Sequence, residues 1–275
     1  MPQQPDIRIS GTTSKACAMA AVFDSHLHII DPRFALTPNE GFLPAPFTCD
    51  DYLAVAGPLG VAGGAVVSGS FQGLDQSYLH AALRRLGAAF VGVTQLPVSA
   101  SDEAIVELER AGVRAVRFNL KRGGAVAPSD LQELACRLHE LVQWHVEIYV
   151  DGAELPALLR TLTGLPRLVI DHLGLSRAGL PALLSLVEQG AYVKATGFGR
   201  LDFDPAPVIR QIAGINPNAL LFGTDLPSTR APRPFNGQDL RLMEEALEPA
   251  LLKRALYDNA VALYRPPALP QVSHA

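Results

Sequence analysis

Two histidines, His26 and His28, stand two positions apart in the apolar run Val22–Ile29. An extended strand projects such a pair from one face, so both imidazoles converge on one small volume. There they can hold a metal ion or polarise a substrate carbonyl. A carboxylate, Asp225, ends the apolar run Leu220–Leu226, and it can take a proton from a water held within about 3 Å. His172 ends another run, directly after Asp171. Arg117 has apolar neighbours, Lys121 and Arg122 follow it, and Arg200 comes just past a further run. Guanidinium groups in such places suit the bidentate binding of carboxylates. Ser70 and Tyr149 are polar residues at the ends of two more runs, while Arg230 and Arg233 lie in a proline-rich loop. On the motifs alone two plainer readings stay open. The histidines can be a satisfied polar pair at a strand end, and Asp225 can be a helix cap or one half of a loop salt bridge.

Elements that could gather these residues are visible along the chain. Eight short runs read as strands: Val22–Ile29, Gly64–Ser70, Phe90–Leu96, Val113–Leu120, Val146–Asp151, Arg167–Leu173, Tyr192–Phe198 and Leu220–Leu226. Most are almost continuously apolar, as parallel strands are when helices cover them outside. Helix signals fall between them. Ser129 with Gln132 forms a capping box for a helix through Leu141, and Asp151 with Glu154 repeats the pattern. Asp204 before Pro205 is an N-cap followed by proline at the first helical position. Leu251–Tyr264 is apolar at helical spacing and is expected on the exterior. Eight such alternations predict an α/β fold, a (β/α)8 TIM barrel, in which catalytic groups sit where strands end. Every candidate above lies at or just past such an end. The proline-rich stretch Asp31–Asp50 is predicted to loop over the barrel mouth.

Length and composition agree with this. The chain has 275 residues, close to the roughly 250 of one such barrel. Residues 1–20 are expected to be a flexible N-terminal arm and residues 21–275 a single barrel domain. Hydrophobic residues make up 48% and charged ones 18%, enough apolar matter for a large core and too little charge for disorder. A net charge of −4 without a basic stripe excludes nucleic acid as an expected partner. No run is long enough for a membrane span. Cys17, Cys49 and Cys136 are scattered without metal or redox spacing, which suits a reducing, cytoplasmic setting. Neither a Gly-x-Ser-x-Gly elbow nor a Gly-x-Gly-x-x-Gly turn occurs, so neither serine-nucleophile nor dinucleotide chemistry is indicated.

The motifs also form an ordered set. Phe23-Asp-Ser-His-Leu-His28 with Asp31-Pro32, Val116-Arg-Phe-Asn119, Val169-Ile-Asp-His-Leu-Gly174, Phe222-Gly-Thr-Asp-Leu-Pro227 and the closing Leu256–Tyr264 follow one another. As a set they resemble the amidohydrolase-2 family of the amidohydrolase superfamily, in the branch of 2-pyrone-4,6-dicarboxylate hydrolase and sugar lactonases. The resemblance spans nearly everything from Val22 to Arg265. It implies a hydrolase that opens a carboxylated lactone or lactone-like ester, acting on a small anionic metabolite. Asp225 would be the general base, and His26, His28 and His172 would polarise the carbonyl. Arg117, Arg122, Arg200, Ser70 and Tyr149 would bind substrate. Strands four and five offer Arg117 and Tyr149 where broader relatives place metal ligands, so a two-metal centre is not expected. Either no cofactor is required or a single Zn is held by His26, His28 and Asp225. Phe42 and Ser228 depart from the tyrosine and histidine common in that branch. A zinc-dependent decarboxylase and a barrel that binds an acidic metabolite without turnover are the alternatives.

Overall fold

The computed structural model describes residues 21–123 and 128–269; the expected N-terminal arm lies outside them, as does the side chain of the predicted cap Ser129. Eight strands form one parallel sheet in sequence order: β1 Val22–Leu27, β2 Val61–Val67, β3 Phe90–Thr94, β4 Val113–Asn119, β5 His145–Tyr149, β6 Leu168–Ile170, β7 Tyr192–Ala195 and β8 Leu220–Phe222. A helix follows each: α1 Cys49–Ala56, α2 Ser77–Leu86, α3 Asp102–Arg110, α4 Pro128–Val142, α5 Leu155–Leu162, α6 Leu180–Glu188, α7 Pro205–Ile215 and α8 Gly237–Ala246. This is the predicted (β/α)8 barrel. Asp204 caps α7 by accepting from the Ala206 N–H at 3.1 Å, and Asp151 accepts from Ala153 at 3.2 Å. Among the described residues no helix is long and apolar enough to cross a membrane.

Side-chain alternation builds two apolar layers. Val66 packs outward with the helices, whereas Ala65 and Val67 join Val91, Val93, Ala115, Val169 and Leu221 inside the barrel. The segment predicted as one exterior helix divides: Leu251, Leu252, Ala255 and Leu256 pack with the outer layer as expected, and its last turn goes inward. Pro249–Lys253 (α9), one π-helical turn over Arg254–Asp258, and Asn259–Tyr264 (α10) carry Tyr264 into the inner layer. Its ring stacks on Phe23 with centroids 5.5 Å apart, and its hydroxyl donates to Glu147 Oε1 at 2.5 Å. A tyrosine suits this place because its body is apolar and its tip needs a buried partner.

Closure between β8 and β1 matters most for the site. The Asp225 N–H donates to the His26 carbonyl at 2.7 Å, and the His28 N–H donates to the Leu226 carbonyl at 2.7 Å. Gly223 makes room for this approach, since a Cβ there would stand 2.8 Å from the His26 nitrogen. Asp24 clips the same seam, with Oδ1 accepting from the Thr224 N–H at 2.8 Å and Oδ2 from its hydroxyl at 2.6 Å. The strands are shorter than the apolar runs predict. His172 (φ +51°) and Asp225 (φ +60°) lie just beyond β6 and β8 in left-handed turns. Non-glycine residues held in that region concentrate at functional sites.

Candidate active site

His26, His28, His172 and Asp225 meet at the end of the barrel where the strands finish. Asp225 Oδ1 lies 3.9 Å from His26 Nε2 and 3.9 Å from His28 Nε2. The ring of His172 is 4.8 Å from that of His26, centroid to centroid. All four residues are almost wholly buried. Asp225 Oδ2 accepts from Arg200 Nε at 2.8 Å and is ion-paired with Nη2 at 2.7 Å, while Nη2 donates to the Thr229 carbonyl, leaving Asp225 Oδ1 without a hydrogen-bond partner. Burial raises the Asp225 carboxyl above its ordinary value against the opposing charge of Arg200.

The histidines differ in what their facing nitrogens can do. His28 Nδ1 is 2.7 Å from the Val67 carbonyl and must donate to it, so Nε2 is a lone pair aimed toward Asp225. Burial, reinforced by Arg117, lowers His28 to about 3, so the ring is neutral near pH 7. His26 Nδ1 lies 3.2 Å from Lys194 Nζ. A lysine donor there leaves the ring proton on Nε2. Burial and then Lys194 hold His26 well below its ordinary range, and burial with Arg200 does the same to His172.

A buried polar network holds these rings from beneath. Lys194 Nζ donates to Glu147 Oε2 at 2.5 Å and lies 3.5 Å from Asp171 Oδ1. Arg117 Nε donates to Asp171 Oδ2 at 2.9 Å. Burial alone would raise the Asp171 carboxyl, but Lys194 and Arg117 hold it well below the usual carboxylate range. Asp171 and Lys194 stand in separate apolar runs of the sequence, and nothing local links them. Glu147 is a lone acid in an apolar strand, and that anomaly was the available signal for a buried partner.

Among the described residues two groups could hold a metal ion: His26 with His28 and Asp225, and His26 with Asp171 and His172. The first fits one ion by its chemistry. With the His26 proton on Nδ1, which also lies 3.5 Å from Asp171 Oδ1, His26 Nε2 would offer a lone pair beside that of His28 Nε2 and the unpartnered Asp225 Oδ1, an N,N,O donor set suited to zinc. In the second, Asp171 already faces two cationic side chains, Lys194 and Arg117.

The pocket above is lined by His28, His172, Asp225, Arg117, Arg122, Arg200, Ser70 and Tyr149, with Asn119, Phe42, Thr229 and Arg230 completing much of the wall. His26 is fully buried and is not among the lining residues, its ring packing against those of His28 and His172. Ser70 comes from a single 3-10 turn, Ser70–Gln72, rather than from β2 itself. Arg117 lies against Tyr149, its guanidinium carbon 4.9 Å from the ring centroid. The Asp31–Asp50 loop reaches the mouth through Phe42, as predicted. Arg230 joins the wall too, whereas Arg233 pairs with Asp239 at 2.7 Å and is not among the lining residues.

A family model described as amidohydrolase matches residues 23–265. The chain belongs to the amidohydrolase family. This amidohydrolase is 29% identical over 288 residues to the 2-pyrone-4,6-dicarboxylate hydrolase of Comamonas testosteroni, with 90% of this chain and 91% of that one covered. It is 27% identical over 290 residues to the D-galactarolactone isomerase of Agrobacterium fabrum, covering 94% and 96% of the two chains. Among solved structures, an apo protein from Agrobacterium tumefaciens matches with TM-score 0.78 at 25% identity, over 89% of this chain and 95% of that one. The resemblance read from the motifs is therefore borne out.

Proposed function

We propose that this amidohydrolase opens the ring of a small carboxylated lactone by adding water to its carbonyl, with Asp225 as general base. One observation carries the reading: Asp225 Oδ1 is buried and without a partner, and two imidazole nitrogens lie 3.9 Å from it. A water in that gap donates one hydrogen to Asp225 Oδ1 and the other to the lone pair of His28 Nε2. Asp225 takes the proton as the water oxygen bonds to the carbonyl carbon. The His26 Nε2–H then donates to the oxygen that becomes negative, a hydrogen bond strengthened by the dry surroundings. Collapse breaks the ring C–O bond, and the proton on Asp225 passes to the departing oxygen. The product is an open-chain acid.

The pocket wall supports an anionic substrate. Arg117 and Arg200 keep donors free beyond those spent on Asp171, Asp225 and the Ser68 and Thr229 carbonyls, and with Ser70 and Tyr149 they bind the carboxylate, while Arg122 lines the same wall. The relatives' names agree, each describing a carboxylated lactone. A divalent metal, if held by His26, His28 and Asp225, would polarise the carbonyl and acidify water.

Incubating the protein with sugar-acid lactones and pyrone carboxylates tests the reading, with products followed by proton NMR. An open-chain acid is expected. A second reading, lactone isomerisation, is favoured by the relative named as an isomerase, and a new lactone without net water uptake would select it.

A further inference from the structure

Of the cations on the pocket wall, two differ from the others in what they hold. Arg117 and Arg200 are committed to the buried carboxylates Asp171 and Asp225. Arg122 and Arg230 instead converge on one exposed residue of the loop over the mouth. Glu40 Oε2 accepts from Arg122 Nη1 at 3.3 Å and from Arg230 Nη1 at 3.0 Å. The backbone of Arg122 and the side chain of Arg230 are each held by further contacts. The Arg122 N–H donates to Asn119 Oδ1 at 3.0 Å. Arg230 lies over the Phe42 ring, 4.4 Å from its centroid, and also donates to the Asn39 carbonyl. Two guanidinium groups on one carboxylate oxygen make an anion clamp. Its present occupant, 60% exposed in its side chain, belongs to the protein itself.

From this geometry we infer that Arg122 and Arg230 form an outer carboxylate subsite, that Glu40 fills it between turnovers, and that a second carboxylate on the substrate displaces Glu40. This inference rests on the anionic-lactone reading and sharpens it, because it makes Glu40 a resident competitor for the substrate's second anion and Arg230 a specificity-determining residue. Glu40 is suited to being a temporary occupant. An exposed ion pair is weak, so yielding the clamp costs little. Once the inner carboxylate of a rigid dicarboxylate is held, its second anion enters the clamp without a further loss of translational freedom. Glu40 (φ +51°) and Arg230 (φ +59°) both sit in the left-handed region, so the contact is made by two turns that place their side chains against each other.

Calorimetric titration with unreactive probes tests this without turnover: isophthalate, which carries two carboxylates, against benzoate, which carries one. Isophthalate should bind the wild-type protein more tightly than benzoate. Glu40→Gln should tighten isophthalate about two- to fivefold, the size of an exposed ion pair, and leave benzoate within about twofold. Arg230→Met should weaken isophthalate at least about tenfold, towards the benzoate value, as expected for the loss of a charge-assisted bond. An isophthalate-to-benzoate ratio unchanged across the three proteins, or no isophthalate binding at all, would overturn the inference. If the ratio shifts as stated while no lactone is opened, the subsite stands and the hydrolase reading falls.

Discussion

Asp225 and His26 are joined through the backbone, the N–H of one donating to the carbonyl of the other at 2.7 Å. This bond closes the barrel, and it also sets the distance between carboxylate and imidazole. The first and last strands are far apart in sequence, yet their catalytic candidates keep a fixed separation because the seam itself holds them. Asp24, bound to Thr224 at Oδ1 and Oδ2, fastens the same place a second time.

Gly223→Ala should therefore damage the site from a position that touches no substrate. The added methyl meets the His26 nitrogen at 2.8 Å and the His26 Cβ at 3.0 Å. Overpacking of this kind costs about 1–3 kcal/mol. A lowered midpoint in chemical denaturation, together with a fall in kcat larger than any change in KM, is the expected pair of results.

The pH dependence of activity should have an acid limb set by Asp225. The base works as a carboxylate, so activity is lost as pH falls through its pKa. Burial raises that pKa above 3.8 while Arg200 opposes the rise. Replacing Arg200 with Gln should move the limb of a kcat/KM profile to higher pH. His26, His28 and His172 are all lowered, so none should add a limb near neutral pH. A profile unmoved by the Arg200 change would speak against Asp225 as the titrating group.

Metal binding should stop at one ion per chain. Titration with Co²⁺, followed by its visible absorption, should saturate at a single equivalent and be lost in His28→Ala. The second possible group is closed because Lys194 and Arg117 already face Asp171. Two equivalents in the wild-type protein would show that these side chains do not block it.

Much of this was legible in the sequence because barrel strands covered by helices are apolar, and polar residues at their ends stand out. His26, His28, His172, Asp225, Arg117 and Tyr149 were found that way. What escaped depends on contacts between distant segments. Arg230 was a candidate from its loop, but Glu40 fits any surface, and only the folded chain shows the two meeting across the mouth. Tyr264 looked like one more apolar residue of a terminal helix, and nothing local says that its hydroxyl reaches Glu147 inside the barrel. Strand boundaries were read too long for a related reason. The apolar character of β6 and β8 continues past the last ladder bond into the turns that carry His172 and Asp225.

The central claim concerns one oxygen, Asp225 Oδ1, and Asp225→Asn tests it with almost no change of shape. Turnover of a carboxylated lactone and binding of isophthalate should be measured on the same preparation. General-base loss predicts a fall in kcat of about 10²- to 10⁴-fold, with isophthalate binding kept within about threefold of wild type, on the order of 0.6 kcal/mol. A variant that still turns over within tenfold of the wild-type rate would contradict the account.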